Sequence, residues 1–369
     1  MRRAKGVYGM RQVACIFEKL KKNTLLHGVI SFAAVFVSLL LGMVLIKLMG
    51  IDPLAALAAL YEGSFSSMKS LLETTVKMTP LLFTGMSYAI AYRCGLTNLG
   101  MEGQLYIGAV VGTAVGIYVT GLPGGIHVPL AILGGFIGGG LFGFIAGALK
   151  VWFGASEIIT TVMLNTIAMN FAEFMVNGPM IEPARSNSQT SPVLESAQIG
   201  KLFEGTRAHW GFIIALCFIV LFWLFLWRSK KGYEVRVSGL NRQAAAYSGI
   251  NIEENILLVM FLAGGLAGLA GCIEILAVQI RMVPSISPGY GFDGIAVALI
   301  GNNTPIGIVL GALLFGAFRA GGNRMQMRTQ TPISIVNVIQ AFVIIAVISS
   351  NILLEKLDEK RLKNQKQEG

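Results

Sequence analysis

The stretch AHWGFIIALCFIVLFWLFLW, residues 208–227, is followed directly by RSKKGYEVRVSGLNRQAAAYSGI, residues 228–250. The first stretch contains no Asp, Glu, Lys or Arg and is long enough for an α-helix to cross the roughly 30 Å hydrocarbon core of a bilayer. The second stretch opens with Arg228, Lys230 and Lys231, and clustered basic residues mark the cytoplasmic end of a span. The two stretches together predict a membrane-spanning helix that leads into a cytoplasmic segment at residues 228–250.

The composition of the whole chain agrees with a membrane protein. Hydrophobic residues make up 54% of the 369 residues and charged residues only 13%, against about 25% in soluble domains. The net charge of +10 does not indicate nucleic-acid binding, because most basic residues flank apolar runs instead of forming a basic face. The four cysteines lack a C-x-x-C spacing and nearby histidines, so neither a metal site nor a disulfide framework is expected.

The apolar runs predict an all-α polytopic protein with about ten transmembrane helices. Turn residues Gly121–Gly125 divide the charge-free region at 103–149 into two spans. The other expected spans are residues 23–46, 78–92, 158–176, 208–227, 255–277, 292–300, 305–318 and 332–354. The run at 292–300 is short, and the sequence leaves open whether it spans the membrane or is re-entrant.

The distribution of basic residues predicts the orientation. With ten spans and both termini cytoplasmic, 19 Lys and Arg residues lie inside and 10 outside, as the positive-inside rule requires. This count places Arg319, Arg324 and Arg328 together in a short outer loop. The chain then divides into a basic cytoplasmic N-terminus at 1–22, one transmembrane domain at 23–354 and a cytoplasmic tail at 355–369, with an extracellular loop at 177–207.

Glycine spacing predicts close helix packing. Glycines four residues apart lie on one helix face and let two backbones approach within a membrane. Such pairs occur at 134 and 138, 139 and 143, 264 and 268, and 307 and 311. A second pattern is the acid between glycines in Gly100–Gly103 and again in Gly291–Gly294, at the starts of runs expected to cross in opposite directions. This second pattern indicates either an inverted repeat or chance.

The cytoplasmic segment contains a predicted short helix. Asn241 is a plausible N-cap for Arg242–Ser248, and Gly249 can end the helix in a left-handed conformation. The three alanines at 244–246 make this helix narrow enough to enter a groove on a partner protein. The alternative is an ordinary loop between spans.

The segment Gly239–Ile250, with the sequence GLNRQAAAYSGI, resembles the coupling helix of permease subunits of bacterial ABC importers. The resemblance is to the family that takes up ribose-type sugars, branched-chain amino acids and nucleosides, and within it to the nucleoside permeases. Three further stretches agree in the expected order: Gly95–Gln104, Ser156–Asn165 and Gly289–Leu299. The resemblance covers about residues 80–350.

This resemblance implies the ABC importer permease fold and a set of partners. A cytoplasmic ABC ATPase would bind ATP and Mg²⁺, a second permease chain, identical or paralogous, would complete the pathway, and an extracellular binding protein would deliver the solute. The chain itself would need no cofactor and would reside in the bacterial cell membrane. The residues expected to couple to the ATPase are Gly239, Leu240, Asn241, Arg242, Ala244, Ala245, Tyr247 and Gly249.

Polar residues inside the apolar runs are the candidates for the translocation pathway. A charge at membrane depth costs about 2.5 to 3.5 kcal/mol on insertion scales, so such residues usually face a protein interior or a wet cavity. Glu102 and Glu157 are alternatively helix N-terminal caps, and Tyr290 and Phe292 are alternatively ordinary aromatic residues at the membrane interface. The candidates are Asn98, Glu102, Gln104, Glu157, Asn165, Tyr290, Phe292 and Asp293.

No motif indicates an enzyme. The sequence lacks the phosphate-binding pattern Gly-x4-Gly-Lys-Ser/Thr and any catalytic constellation of His, Asp and Ser. We therefore expect an ATP-driven importer subunit for nucleosides, whose neutral, hydroxyl-rich chemistry suits amides such as Asn98. The alternatives are import of a simple sugar such as ribose, an ion-coupled secondary transporter that uses the intramembrane acids, and a membrane scaffold without transport.

Overall fold

A computed structural model describes residues 35–347 and residue 349. The predictions for the N-terminus at 1–22, for residues 23–34 of the first span and for the tail at 355–369 lie outside these residues. The fold divides into two compact units, of which the larger is Leu60–Arg324 and the other is formed by the chain before and after it. In the smaller unit, Gly42 and Ile339 lie against each other.

The described part of the chain is helical, and no β-strand occurs in it. Short π-helical turns, Leu224–Arg228 and Ile275–Gln279, continue α7 and α10. The helices are α1 (Val35–Leu48), α2 (Pro53–Ser64), α3 (Met68–Arg93), α4 (Met101–Tyr118), α5 (Gly124–Phe153), α6 (Glu157–Asn177), α7 (Gly211–Trp223), α8 (Lys230–Leu240), α9 (Arg242–Tyr247), α10 (Ile252–Glu274), α11 (Tyr290–Ile300), α12 (Pro305–Thr329) and α13 (Ser334–Val347).

The prediction of an all-α polytopic fold is confirmed. Among the described residues, five helices are long and apolar enough to cross a membrane: α5, α6, α7, α10 and α12, with α7 and α10 counted together with their π-helical turns. The expected boundary at Gly121 is also confirmed, because α4 ends at Tyr118 and α5 begins at Gly124. The expected total of ten spans stays a prediction.

The centre of the larger unit is the crossing of α5 and α10. A Cβ on Gly139 would lie 2.4 Å from the carbonyl oxygen of Gly264, and a Cβ on Gly268 would lie 2.4 Å from that of Gly135. Any larger residue would force the two backbones apart. The predicted role of the glycines at 139, 143, 264 and 268 in helix packing is therefore confirmed.

We name the two ends of the larger unit after the connections that lie there: the loop end, with the loop at 178–210, and the α9 end, with the short helix α9. At the loop end, residues 178–210 bond to the ends of the long helices, for example Ile199 N–H to Leu276 O at 2.9 Å and Leu194 N–H to Gly116 O at 3.0 Å. At the α9 end, Gly239 of α8 packs against the backbone of Arg93, the last residue of α3. The helices α3, α5 and α7 therefore end at the α9 end, and α10 begins there.

The short run at 292–300 lies within a broken crossing. The whole crossing comprises residues 280–303. Its first residue, Ile280, accepts a hydrogen bond of 2.9 Å from the Val193 N–H of the loop, and its last residue, Asn303, accepts one of 3.1 Å from Arg93. Residues 280–303 therefore pass from the loop end to the α9 end and do not return to the side from which they came. Only α11, about 16 Å long at 1.5 Å per residue, is helical, so the first half of the crossing is irregular.

The placement of Arg319, Arg324 and Arg328 in a short outer loop is wrong. All three belong to α12, which continues to Thr329 instead of ending near Phe318. The physical reason is that Arg319 pairs with Asp293 of α11. Because its charge is partly neutralised there, the helix can continue past Arg319. Asp293 lies 26 residues before Arg319, so no local pattern pairs the two residues.

Candidate functional site

Two helices begin at one point in the interior of the larger unit, and we call this point the helix junction. It consists of Glu102, Asp293 and Arg319 together with the backbone of Gly291. The Glu102 carboxylate, in the first turn of α4, accepts a hydrogen bond of 2.7 Å from the Gly291 N–H in the first turn of α11. Glu102 therefore caps a helix other than its own, where the free N–H groups and the helix dipole favour an anion.

The contact between the two helix starts requires glycine at position 291. A Cβ at this position would lie 2.4 Å from the backbone nitrogen of Glu102. From this contact α4 runs to the loop end and α11 runs to the α9 end, as the positions of Leu194 against Gly116 and of Arg93 against Asn303 require. The expectation that the two acid-and-glycine patterns begin oppositely directed runs is therefore confirmed.

Asp293 and Arg319 form the charged part of the helix junction. The Arg319 guanidinium lies 2.6 Å from the Asp293 carboxylate, and both side chains are less than one-fifth exposed. Arg319 also donates to the carbonyl of Pro288 at 3.0 Å and lies 4.8 Å above the ring of Tyr290. The arginine thus holds together the irregular chain before α11, the start of α11 and α12.

The amide candidates lie beside the helix junction and stabilise the start of α4. Asn98 and Gln104 bond to each other side chain to side chain, with 3.0 Å from Asn98 Nδ2 to Gln104 Oε1. Asn165 of α6 accepts from the Gly103 N–H at 2.7 Å and donates to the Leu99 carbonyl at 2.8 Å. All three amides are buried and have partners, so they fix the irregular stretch that leads from α3 into α4.

The remaining pathway candidates are dispersed. Glu157 begins α6, as expected for a helix N-terminal acid, and pairs with Lys150 of α5. Tyr290 is buried under Arg319, whereas Phe292 is half exposed. The structure thus brings Asn98, Glu102, Gln104, Asn165, Tyr290 and Asp293 together, and places Glu157 at the α9 end with the last turn of α5.

At the α9 end, the predicted capped helix is present. The Asn241 side chain accepts a hydrogen bond of 3.0 Å from the Ala244 N–H, which is the expected N-cap. The helix covers Arg242–Tyr247, and Gly249 follows it with a left-handed φ of 77°. The α8 helix before it is capped in the same way by Ser229, so the whole segment at 228–250 is an ordered structure and not an irregular loop.

The exposed residues between Leu240 and Ser248 form a surface that we call the α9 face. Leu240 is 87% exposed and Tyr247 is 93% exposed, and Asn241, Arg242 and Ala244 are also exposed. Exposed large apolar side chains beside a basic residue are typical of a protein-binding surface. Ala245, which we expected on this surface, is instead fully buried against the chain itself. A helix of six residues that packs on its own protein must turn one alanine inward.

The α9 face is connected to the helix junction by close contacts. A Cβ on Gly239 would lie 2.2 Å from the Arg93 carbonyl oxygen, so only glycine permits this approach of α8 to the end of α3. The Arg93 guanidinium donates to the carbonyls of Asn302 and Asn303, just beyond the end of α11, and lies 5.5 Å above the ring of Trp227. The helix α11 thus has its first turn at the junction and its last turn held beside α8.

Comparison with known proteins identifies the family. Residues 70–348 match the model of the permease component of branched-chain amino acid transport systems. The chain belongs to this permease family.

Several relatives are similar over most of their length. The guanosine ABC transporter permease protein NupP of Bacillus subtilis is 35% identical over 330 residues, which are 88% of this chain and 94% of the relative. The nucleoside ABC transporter permease protein NupB of Lactococcus lactis is 33% identical, over 84% of this chain and 88% of the relative. The glucose ABC transporter permease protein TsgB13 of Haloferax volcanii is 31% identical, over 86% of each chain. No solved structure matches.

At the loop end of this multi-pass membrane protein, one acid organises the connection between α6 and α7. Glu182 accepts hydrogen bonds from Ser186 and Gln189 and pairs with Arg281 at 2.8 Å. These hydrogen bonds, with the charge of Arg281, hold the pKa of Glu182 below its ordinary value, so the carboxylate stays ionised at neutral pH. The polar loop of the permease is therefore fastened to the chain beyond α10.

Sequence reasoning missed three basic residues of the permease. Arg319 was assigned to a loop, although its position at the end of an apolar run beside an acid-bearing run was a usable signal. Arg93 was treated only as an orienting charge, yet it joins α3, α7 and α11. Arg236 of α8 had no signal in its spacing, and only the folded chain shows that it lines a cavity together with Arg93.

Proposed function

We propose that this permease is the membrane-spanning subunit of an ATP-driven importer of nucleosides. The observation that carries this proposal is the similarity, over most of the chain, to relatives named as guanosine and nucleoside permeases. In this proposal the α9 end faces the cytoplasm and the loop at 177–207 lies outside, with both termini in the cytoplasm. The basic residues of 228–242 support this orientation.

The α9 face is the proposed docking site of a cytoplasmic ATPase. A narrow, rigid helix with a protruding Tyr247 and Leu240 offers the aromatic and aliphatic anchors that dominate protein interfaces. ATP and Mg²⁺ would bind to that ATPase, and a second permease chain and an external binding protein would complete the importer. Movement of α8 would reach α11 through Arg93 and Gly239.

The proposed solute path runs beside the helix junction. Irregular backbone at membrane depth occurs where it is enclosed in protein or lines a water-filled cavity, and residues 280–289 are of this kind. Asn98, Gln104 and Asn165 supply a neutral, polar environment that suits a neutral solute with hydroxyl groups. The Glu102 and Asp293 carboxylates are engaged by Gly291 and Arg319, which weakens the alternative of a proton-coupled carrier.

Import of a simple sugar is the second candidate, because the relative TsgB13 is named as a glucose permease. Uptake by a strain that lacks this chain separates the two. The proposal expects loss of labelled guanosine or uridine uptake at low external concentration, with glucose and ribose uptake retained. Retained nucleoside uptake with loss of a sugar would overturn the nucleoside assignment and leave the permease assignment intact.

Ala244→Glu tests the docking site, because Ala244 is exposed while its neighbour Ala245 is not. The variant should lose ATPase from the purified complex on the order of tenfold or more, since a buried unpaired charge is costly at an interface. The matched control is Ala184→Glu, the same change at an exposed alanine of the loop end, which should leave ATPase retention unchanged. Normal ATPase retention and ATP-driven uptake with Ala244→Glu would exclude this docking site.

A further inference from the structure

A cavity of about 470 Å³ opens between the end of α3, residues 95–97 and α8. Its lining includes Arg93 and Arg236, together with Leu240 of the α9 face. The described residues contribute no Asp or Glu to this lining. The cavity is therefore positively charged and adjoins the surface proposed to dock the ATPase.

The Arg236 guanidinium is incompletely satisfied within the described chain. Its Nε is buried and has no hydrogen-bond partner there, although a guanidinium carries five N–H donors. Arg93 differs, because it donates to the carbonyls of Asn302 and Asn303. The two guanidinium groups are close enough to repel each other. A charged donor that is left without an acceptor is costly, and a carboxylate in the cavity beside Arg93 and Arg236 would offset the repulsion between their like charges.

We propose that this cavity receives the carboxylate of an acidic side chain of the ATPase, which pairs with Arg236 when the ATPase docks on the α9 face. The proposal rests on the proposed function and adds a second, charged contact beside the apolar one. Arginine binds carboxylates through parallel N–H bonds, so such a contact would fix the angle of the ATPase against α8. Because Arg93 lines the same cavity and holds the end of α11, the contact would lie next to the connection that leads to the helix junction.

Arg236→Glu in the complete importer tests the charge requirement. ATPase retention should fall on the order of tenfold or more, because like charges would face each other in the cavity. Lys230→Glu is the matched control, since it makes the same charge change at an exposed position of α8 outside the cavity lining, and it should change retention much less. The melting temperature of the purified permease confirms that both variants fold. Equal effects of the two folded variants would overturn the proposal.

Arg236→Lys identifies the occupant. A zero-length carbodiimide joins a lysine amine to a carboxylate only when the two are in contact, so the variant complex should give an amide between residue 236 and an Asp or Glu of the ATPase. An amide to an acid of this chain's own residues 355–369 would assign the cavity to the tail and overturn the proposal. No amide at 236 while Lys230 or Lys231 links to the ATPase would also overturn it.

Two further results separate this proposal from its neighbours. If sodium phosphate but not sodium acetate raises the melting temperature of the isolated permease, and Arg236→Gln abolishes that rise, the cavity binds a free phosphate and the proposed occupant is wrong. If Ala244→Glu releases the ATPase but Arg236→Glu does not, the docking site stands and the cavity proposal falls. If neither releases it, both fall.

Discussion

The helix junction and the α9 face are both rich in polar and aromatic groups, but their partners lie in different places. At the junction, Glu102 is bonded to Gly291 and Asp293 to Arg319, so the charges are satisfied within the chain. At the α9 face, Tyr247 and Leu240 project into solvent with more than four-fifths of their surface exposed. The contacts of the junction hold the permease together, whereas the exposed side chains of the α9 face are the proposed binding surface for another protein.

The two regions are connected through α11 and differ in what a substitution would disturb. At the junction, Glu102 caps the start of α11, and Arg93 donates to the carbonyls just beyond the other end of α11. The exposed side chains of the α9 face are instead available to a partner, and Gly239 of α8 joins this surface to the end of α3. Damage at the junction should appear first as lost stability, and damage at the face should appear first as lost ATPase binding.

Arg319→Met should have the largest effect on stability. It leaves the Asp293 carboxylate buried without its partner, which typically costs about 3 to 5 kcal/mol. The melting temperature of the detergent-purified permease measures this loss. The double variant Arg319→Met with Asp293→Asn should recover much of it, because no unpaired charge remains. An unchanged melting temperature for Arg319→Met alone would mean that the pair does not stabilise the junction.

Glu102→Ala should have a smaller effect, about 1 to 3 kcal/mol, because it removes a charged hydrogen bond to the first turn of α11. Glu102→Gln keeps an acceptor oxygen and should lie between the alanine variant and the native permease. Hydrogen exchange of the α11 amides provides the local readout. If α11 exchanges at the native rate in the alanine variant, the cap does not hold this helix.

His209 at the loop end provides a test by pH, because it is buried and neither ring nitrogen has a partner among the described residues. Burial, and then the charge of Arg207, lower the pKa of His209 to about 4. The unfolded chain, with an ordinary value near 6.5, therefore binds a proton that the folded chain does not as the pH falls from about 6.5 to 4. Stability should decrease by about 1 kcal/mol between pH 7 and pH 5.5.

His209→Phe is the control for this pH effect, since it retains a ring and removes the titration. Its melting temperature should depend less on pH between 7 and 5.5 than that of the native permease. The same slope in both proteins would show that another group titrates. The charged groups of the helix junction have partners, whereas the buried His209 has none among the described residues, and this makes the stability of the protein depend on pH.

Much of the fold could be predicted from the sequence because a membrane leaves few choices. Bilayer thickness alone makes the 20 charge-free residues at 208–227 a predictable span. Helix packing alone explains the glycine pairs at 139 and 143 and at 264 and 268. The capped helix at 242–247 was also predictable, because Asn241 and Gly249 act within a few residues of the chain. Signals of this local kind survive in a single sequence.

The candidate site was less predictable because it depends on contacts between distant residues. Glu102 was recognised as a helix N-terminal acid, but the helix that it caps begins 188 residues later, at Tyr290. Arg319 was misplaced for the same reason, since a buried arginine reads as a loop residue until its acid is known. Ala245 was expected to face a partner, and only the packing of α9 on the chain distinguishes it from exposed Ala244.

A change at the α9 face should reach the helix junction, and thiol labelling at position 292 measures whether it does. Phe292 is half exposed and lies next to Asp293 but takes no part in the ion pair. In the complete importer, with the native cysteines replaced, Phe292→Cys should react with a charged thiol reagent at rates that differ severalfold between the ATP-free and vanadate-trapped states. Ala244→Glu should abolish this difference. Equal labelling or complete protection in both states, with the ATPase still bound, would contradict the account.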